Sequence, residues 1–423
     1  MKKFLFAVTF ILLPLMMKAQ NINGRVSSSL YTFERYDTLN TSTKYVRGFQ
    51  SFQLNVNKGD FSLRTNMNLE SNFGNALESD PRLRFYNLYL EGRNLFNVAT
   101  VKLGRQPLFN SVAGGVFDGV NLKLKHDDYS LTGYYGGNVP AYQELKFTDD
   151  LNNNYVLGGK FETTALTNFR FALSYIDKNF KKDDYYALRL DENYNPIQVL
   201  IHEKSNQFKY VSGEAAFDLP NTIEVNTKYD YDLNFEKTSR FELSTRYSSI
   251  KNLGIDLYYN YRAPQISYNS IFSVFNYGNQ QEIEGGLDYK FSSVFTAFGK
   301  YGYVKYDGDN SQRFTVGVNS NFGSLSYRKT LGYAGELDAV SLFAAHSFMD
   351  GLLTPSAGIS FTSFKLSDND PKNNLTSVLA GVNVRPLNTL SFDLQGQYFD
   401  NPIYKNDFRL LLKINYWFNT NLD

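Results

Sequence analysis

The sequence predicts an all-β protein, an antiparallel transmembrane β-barrel with an even number of strands. Three observations predict it: apolar residues at every second position over most of the chain, full charges on the positions between, and turn residues at regular intervals. The stretch 222–247 writes the pattern twice. Ile223, Val225, Tyr229 and Tyr231 share a face, as do Phe241, Leu243 and Tyr247, while Glu224, Asn226, Lys228, Asp230, Glu242 and Arg246 lie opposite. Near the C-terminus Phe408, Leu410, Leu412, Ile414, Tyr416 and Phe418 alternate with Arg409, Lys413 and Asn415. A soluble sandwich has no need of Leu and Tyr on every hairpin with ions on the other side; lipid outside and water inside does.

The first twenty residues stand apart. Lys2 and Lys3 precede an apolar run from Phe4 to Met17, followed by Lys18, Ala19 and Gln20, the make-up of a secretory signal cleaved near Ala19. The run is short for a spanning helix, and an uncleaved anchor is the alternative. The expected organisation is a signal peptide at 1–20 and an outer-membrane barrel at 21–423. Without Lys2, Lys3 and Lys18 the chain holds 40 basic and 42 acidic residues, a balance that gives no reason to expect nucleic acid. With no Cys there is no disulfide, thiolate nucleophile or cysteine metal site. Aromatic residues make up 16%, from 36 Phe, 32 Tyr and 1 Trp, in keeping with membrane interfaces. The mean hydropathy is negative, as expected when each strand averages an apolar and a charged face. Export without cysteine points to the outer membrane of a Gram-negative bacterium, with lipid as one partner.

Ten short polar breaks join alternating runs: 57–60, 92–97, 126–128, 163–167, 219–221, 248–253, 292–293, 319–323, 347–352 and 385–388. Most contain Asn, Asp, Gly, Pro or Ser, the residues of tight turns. Between them fall longer connections, notably 106–117, 136–154, 177–206 and 262–280. Short turns on one rim and long loops on the other are the outer-membrane asymmetry, the short rim facing the periplasm. Ten hairpins with an opening strand from Ile22 and a closing one ending at Phe418 give 22 strands. The range is 16 to 22, because the segments 129–135, 155–161 and 337–345 alternate weakly. Barrels this wide are commonly plugged, yet no plug domain precedes the first strand, so constriction is expected from inward loops such as 106–117 or 177–206. Within 177–206, the pieces 186–190 and 197–201 alternate and predict a projecting hairpin.

One stretch is distinctive: Val101-Lys102-Leu103-Gly104-Arg105-Gln106, a loop, then Phe117-Asp118-Gly119-Val120-Asn121-Leu122. It resembles porin-like bacterial outer-membrane β-barrels, especially alginate-export-type porins, over about twenty residues. The resemblance implies a porin-like channel and does not carry alginate with it as substrate. The final Tyr416-Trp417-Phe418 is similar to a barrel assembly signal, from which it departs by five further residues. Alternation puts Arg105 on the face of Val101 and Leu103. Either it reaches headgroups there, or a bulge at Gly104 turns it inward, with Asp118 as a possible partner.

The catalytic inventory is poor. His126 and His346 fall in short turns and His202 in a long loop, away from any Ser or carboxylate constellation, so no enzyme and no catalytic residue is expected. Acidic pairs such as Asp127-Asp128, Asp149-Asp150, Asp183-Asp184 and Asp368 with Asp370 lie in turns or loops and read as solvated rather than as a calcium site. No cofactor and no metal is expected. The informative polar set faces inward. Its lumen-lining candidates are Arg64, Lys102, Arg105, Lys123, Lys125, Arg170, Glu224, Arg246, Glu282, Glu284, Asp288 and Arg328. Both signs occur, which argues against a charged ring of strong selectivity. Lys102, Lys123 and Lys125 against Glu282, Glu284 and Asp288 could set a field across the lumen, or all could pair along the wall. Tyr89, Tyr134 and Tyr258 would offer sugar-stacking surface if inward. The expected function is a channel for passive diffusion of small hydrophilic solutes; the alternative is a loop-plugged structural or surface-binding barrel.

Overall fold

The computed structural model describes residues 21–421 apart from 37–38, 40, 75–79, 109–113, 149, 182–183, 202–205, 267–273, 275–277, 333–334, 368–369 and 403–405. The expected signal segment, His202, Asp149, Asp183 and Asp368 lie outside the described residues. The chain opens with β1 (Asn21–Tyr36), β2 (Ser42–Lys58), β3 (Phe61–Asn72), β4 (Arg82–Leu95), β5 (Ala99–Leu108) and β6 (Gly115–His126). It continues through β7 (Tyr129–Asn138), β8 (Tyr155–Thr163) and β9 (Phe169–Phe180). It then leaves the sheet for a hairpin of β10 (Tyr185–Leu190) and β11 (Pro196–Ile201). It returns as β12 (Asn206–Leu219), β13 (Ile223–Asp232), β14 (Lys237–Tyr247), β15 (Leu253–Arg262), β16 (Gln280–Lys290), β17 (Phe295–Tyr306) and β18 (Asp309–Ser320). β19 (Gly323–Gly332), β20 (Glu336–Ala345), β21 (Leu353–Lys365), β22 (Asn373–Leu387), β23 (Leu390–Asp400) and β24 (Asn406–Thr420) complete the circuit.

Among the described residues, 22 of these strands form one antiparallel sheet, and β1 pairs with β24 to close it. Each of the ten short breaks separates two paired strands, and they all lie on one rim. The three weakly alternating segments are full strands, β7, β8 and β20. In β7 and β8 the pattern is diluted by glycine, Gly133 standing directly opposite Gly159. The hairpin predicted within 177–206 is β10–β11, paired from Tyr185↔Ile201 to Leu190↔Pro196.

The barrel has an exposed apolar face on every side. Leu103, Leu122, Leu131, Phe161, Leu173, Leu257, Ile283, Phe314, Leu342, Ile359, Leu394 and Leu412 all stand open to the surroundings. The polar faces hold most of the buried polar groups, among them Ser27, Glu91, Asp230 and Asn415. The strands, from 9 residues in β8 to 17 in β2, meet or exceed the roughly 9 to 11 needed to cross a bilayer.

The seam joins the two strands farthest apart in the sequence. β1 and β24 are partnered from Ile22↔Thr420 to Tyr36↔Asn406. Asn415, 4% exposed, buckles three strands there. It accepts from Arg25 at 2.6 Å and Ser27 at 2.7 Å in β1, and donates to Ser391 at 3.1 Å and Asp393 at 2.9 Å in β23. An Asn415→Leu substitution strands those partners and is expected to destabilise the barrel by about 1–3 kcal/mol. The check is the denaturant midpoint at which the compact, heat-modifiable gel form is lost; a wild-type midpoint would dismiss the buckle.

Candidate functional site

Three sets of ion pairs show which face is concave. Lys160 of β8 reaches over β9 to Glu214 of β12 at 2.9 Å. Arg246 of β14 binds Asp256 of β15 at 2.8 Å and reaches over that strand to Asp288 of β16 at 2.8 Å. Arg313 of β18 reaches over β17 to Glu282 at 2.7 Å and Glu284 at 2.5 Å. Side chains two strands apart start roughly 10 Å from one another, and they converge only on the inside of a curved sheet. The charged face is therefore the inner wall.

Three of these bridges, to Glu214, Asp288 and Glu284, cross a strand beside a position with little or no side chain. Ala172 stands between Glu162 and Glu214 in register, Gly254 opposite Asp288, and Gly302 between Glu284 and Arg313. A Cβ on Gly254 would come within 2.4 Å of both Arg246 Nη2 and Asp288 Oδ1.

The candidates from the sequence divide by partner. Arg64 and Lys102 converge on Glu91 at 3.0 and 3.6 Å, and Glu91 is 7% exposed. Arg246, Glu282, Glu284 and Asp288 belong to the bridges just described, with Lys300 on Glu284 at 3.5 Å. The acidic cluster of β16 thus carries its own cations and Lys102 its own carboxylate, so of the field expected between the clusters only the part from Lys123 and Lys125 is left unmatched. Lys123, Lys125, Arg170 and Arg328 are exposed and make no ion pair among the described residues, and Glu224 accepts only from Asn226. Arg105 is not open to the lumen at all, being 1% exposed. Tyr89 and Tyr134 are buried, Tyr134 within a cluster of Leu108, Phe117, Val156, Ile176 and Tyr210, so neither is a free stacking surface.

Two groups were missed from sequence. The first is an arginine and aromatic arc running from β24 through β1 and β2 to β4. Phe33 stacks on Tyr45 at 4.5 Å, with Arg35 at 4.8 Å and Arg47 at 6.0 Å over the Phe33 ring. Arg409 lies 4.4 Å over Phe399 and binds Asp407 at 2.6 Å, and Asp407 also meets Arg35. Arg84 binds Glu70 at 2.8 Å. Arg47 and Arg82 have no carboxylate partner among the described residues. Strict alternation hid part of this arc, because β4 is irregular between the positions paired with Asn66 and Met67, which shifts Arg82 and Arg84 onto the face of Glu70.

The second is the connection between β7 and β8. It crosses the inner wall back to β4, where the Tyr142 ring lies 3.9 Å beneath the Arg82 guanidinium and 5.4 Å from Arg84. The carbonyl of Gln143 accepts from Arg105 at 2.8 Å. At its far end Asp150 binds Lys181 at 2.9 Å, and that bond, with those from Asn153, holds the carboxyl below the usual range. Inward constriction was expected of 106–117 and 177–206. Residues 109–113 lie outside those described, and the β10–β11 hairpin within 177–206 pairs, among the described residues, only with itself. The seated loop is 139–154, which has no periodicity to reveal it.

No protein-family model matches the chain, and no curated protein does. Among solved structures, the chain is similar in outline to the P pilus usher (PapC) translocation pore, at 10% identity over 93% of this chain and 99% of that one, TM-score 0.45. It is similar also to Acinetobacter baumannii OccAB3, at 10% identity over 94% and 99%, TM-score 0.45. Pseudomonas aeruginosa OpdQ aligns at 7% identity over 94% and 98%, TM-score 0.44. Likeness at this level carries no inference about what this chain does.

The bridging geometry makes one prediction of its own. Gly254→Ala must displace the Arg246–Asp288 bridge, and because both side chains are partly exposed the expected loss is about 0.5–1 kcal/mol. A double-mutant cycle with Asp288→Asn, read from denaturant midpoints, should show the two changes to be non-additive; strict additivity would mean that the bridge does not form.

Proposed function

We propose that this chain is an outer-membrane channel for passive diffusion of small hydrophilic solutes, with its short turns in the periplasm and its long loops outside. The observation that carries the reading is the closed sheet itself, with a band of exposed apolar residues round its outer face and ionised residues along its inner one. Nothing but a hydrocarbon surround makes the first stable, and only water makes the second so. In this reading a solute enters at the long-loop rim, passes the narrowing made by loop 139–154 and leaves between the short turns. The driving force is its own gradient, with no cofactor and no covalent step.

The unpaired charges bias that passage. Arg47, Lys123, Lys125, Arg170 and Arg328 lack carboxylate partners among the described residues, whereas the carboxylates of β16 are matched by Arg246, Arg313 and Lys300. The β15 wall stands eleven strands from β2 in either direction round the ring. An anion therefore meets a cationic wall without an equally free acidic wall opposite. The expected selectivity is a weak preference for anions.

A second reading has its own observation. The β10–β11 hairpin lies outside the barrel sheet and exposes Tyr186, Leu188 and Leu190 on one face, with relative exposures of 69%, 72% and 63%. Such a face suits a surface-binding role. Liposome swelling separates the two: a channel admits small neutral sugars with the hairpin present, whereas a closed wild type that swells only after hairpin deletion favours the binding barrel. In planar bilayers under a salt gradient, the reversal potential should indicate mild anion preference, and Arg47→Gln with Lys123→Gln and Lys125→Gln should move it toward zero. An unchanged potential in the triple variant would reject these cations as the source of selectivity.

A further inference from the structure

We propose that Leu103-Gly104-Arg105-Gln106 and Asp118-Gly119 form a clamp that holds loop 139–154 against the inner wall and so sets the size limit of the channel. The inference rests on the reading of the barrel as a channel.

The clamp sits where the sheet is incomplete. The β4–β5 ladder runs from the turn to Leu88↔Arg105 and stops, although β4 begins at Arg82 and β5 continues to Leu108. Beyond that pair, carbonyl groups of β4 face a gap, and buried backbone acceptors require donors. Arg105 supplies one such donor, to Phe85. Its Nη1 donates to the carbonyl of Phe85 in β4 at 3.3 Å and to that of Gln143 in the loop at 2.8 Å. Its Nε and Nη2 bind the two carboxylate oxygens of Asp118 in β6, each at 2.8 Å. One planar guanidinium thus joins two strands and a loop, a task for which its fixed fork of donors suits it and an ammonium does not.

The neighbouring residues make that position possible. Gly104 has φ +121°, and a Cβ there would lie 2.4 Å from the carbonyl oxygen of Leu88, so glycine alone lets β5 approach β4 so closely. Gln106, 1% exposed, donates to the carbonyl of Gly119 at 3.1 Å and ties β5 to β6 on the other side. The loop in turn is held in a shape it would not keep unaided. Tyr142 and Gln143 both have left-handed backbones, φ 59° and 51°, and for residues other than glycine such conformations persist only where their surroundings over-determine them. The Arg105 bond to Gln143 and the Arg82 guanidinium stacked on Tyr142 are those surroundings. A solute does not reach a guanidinium that is 1% exposed. Arg105 is a positioning residue.

The test uses the full refolded chain in planar bilayers and in liposomes challenged with neutral oligosaccharides of increasing length. Arg105→Lys and Tyr142→Ala, made singly and together, should each raise open-channel noise and shift the cut-off to longer oligosaccharides. The double variant should gain no more than the larger single effect, because both release the same loop. Heat-modifiable mobility should stay that of the folded barrel, and Tyr142→Ala, which alters the loop and leaves every strand residue in place, decides the matter if Arg105→Lys refolds badly. A conducting wild type whose cut-off and noise are unchanged in Tyr142→Ala overturns the clamp and leaves the channel standing. A wild type that conducts nothing, with Tyr142→Ala conducting, keeps the clamp and overturns the open channel.

Discussion

The pairing of β1 with β24 is the constraint on which the molecule depends. Any unpaired peptide group facing hydrocarbon costs several kcal/mol, so a sheet that spans a membrane has no tolerable edge. Closing it antiparallel forces an even number of strands, and joining sequence neighbours throughout forces alternate connections onto opposite rims. Hence the chain can economise on one rim with ten tight turns and put its long segments on the other. The C-terminal strand does not stop at Phe418 but runs to Thr420 and stays in register with Ile22, so every residue of β24 is paired across the seam.

Closure also decides what the side chains can do. The convex face spreads residues apart, and in the proposed membrane setting Leu, Phe and Tyr need no partner there. The concave face crowds them together, and there a charge without a counter-charge would be repelled by its neighbours two strands away. The bridges from Lys160, Arg246 and Arg313 relieve that crowding by spanning a strand, and the small residues Ala172, Gly254 and Gly302 keep their path clear. Such pairs are weak one at a time in water-filled surroundings. Their effect is to sort the wall charges: Arg47, Lys123, Lys125, Arg170 and Arg328 have no carboxylate partner among the described residues, and Glu224 has no cation.

The fold was legible because its rules are local. Period-two alternation and turn residues identify the ten hairpins directly, and only the glycine-diluted pair β7 and β8 and the β20 segment lowered the count that alternation alone would accept. The site was less legible because its rules are not local. Alternation assigns Arg246 and Asp288 to one face, but their contact depends on the register of two further ladders and on a glycine between them. Arg82 was obscured for a related reason, whereas an inward Arg105 partnered by Asp118 was one of the two readings that Gly104 allowed. A positive φ at Gly104 and the irregularity in β4 break the period at the residues that hold the loop. The loop itself is recognised by a stacked tyrosine and a backbone carbonyl, neither of which leaves a pattern in sequence.

Width explains why a clamp is worth the strain it imposes. A circular sheet of 22 strands spaced about 4.8 Å apart and tilted about 40° has a backbone diameter of about 44 Å, far wider than a small solute requires. A connection rooted in β7 and β8 and pinned at β4 lies along one side of that space rather than across it. It narrows the passage by a fixed amount only if it cannot swing. A loop held by apolar contact alone would slide, since such contact has no direction, whereas a guanidinium with its acceptors at fixed angles does not. The gap in the β4–β5 ladder provides the acceptors, and placing Arg105 there lets one side chain complete the sheet and immobilise the loop together.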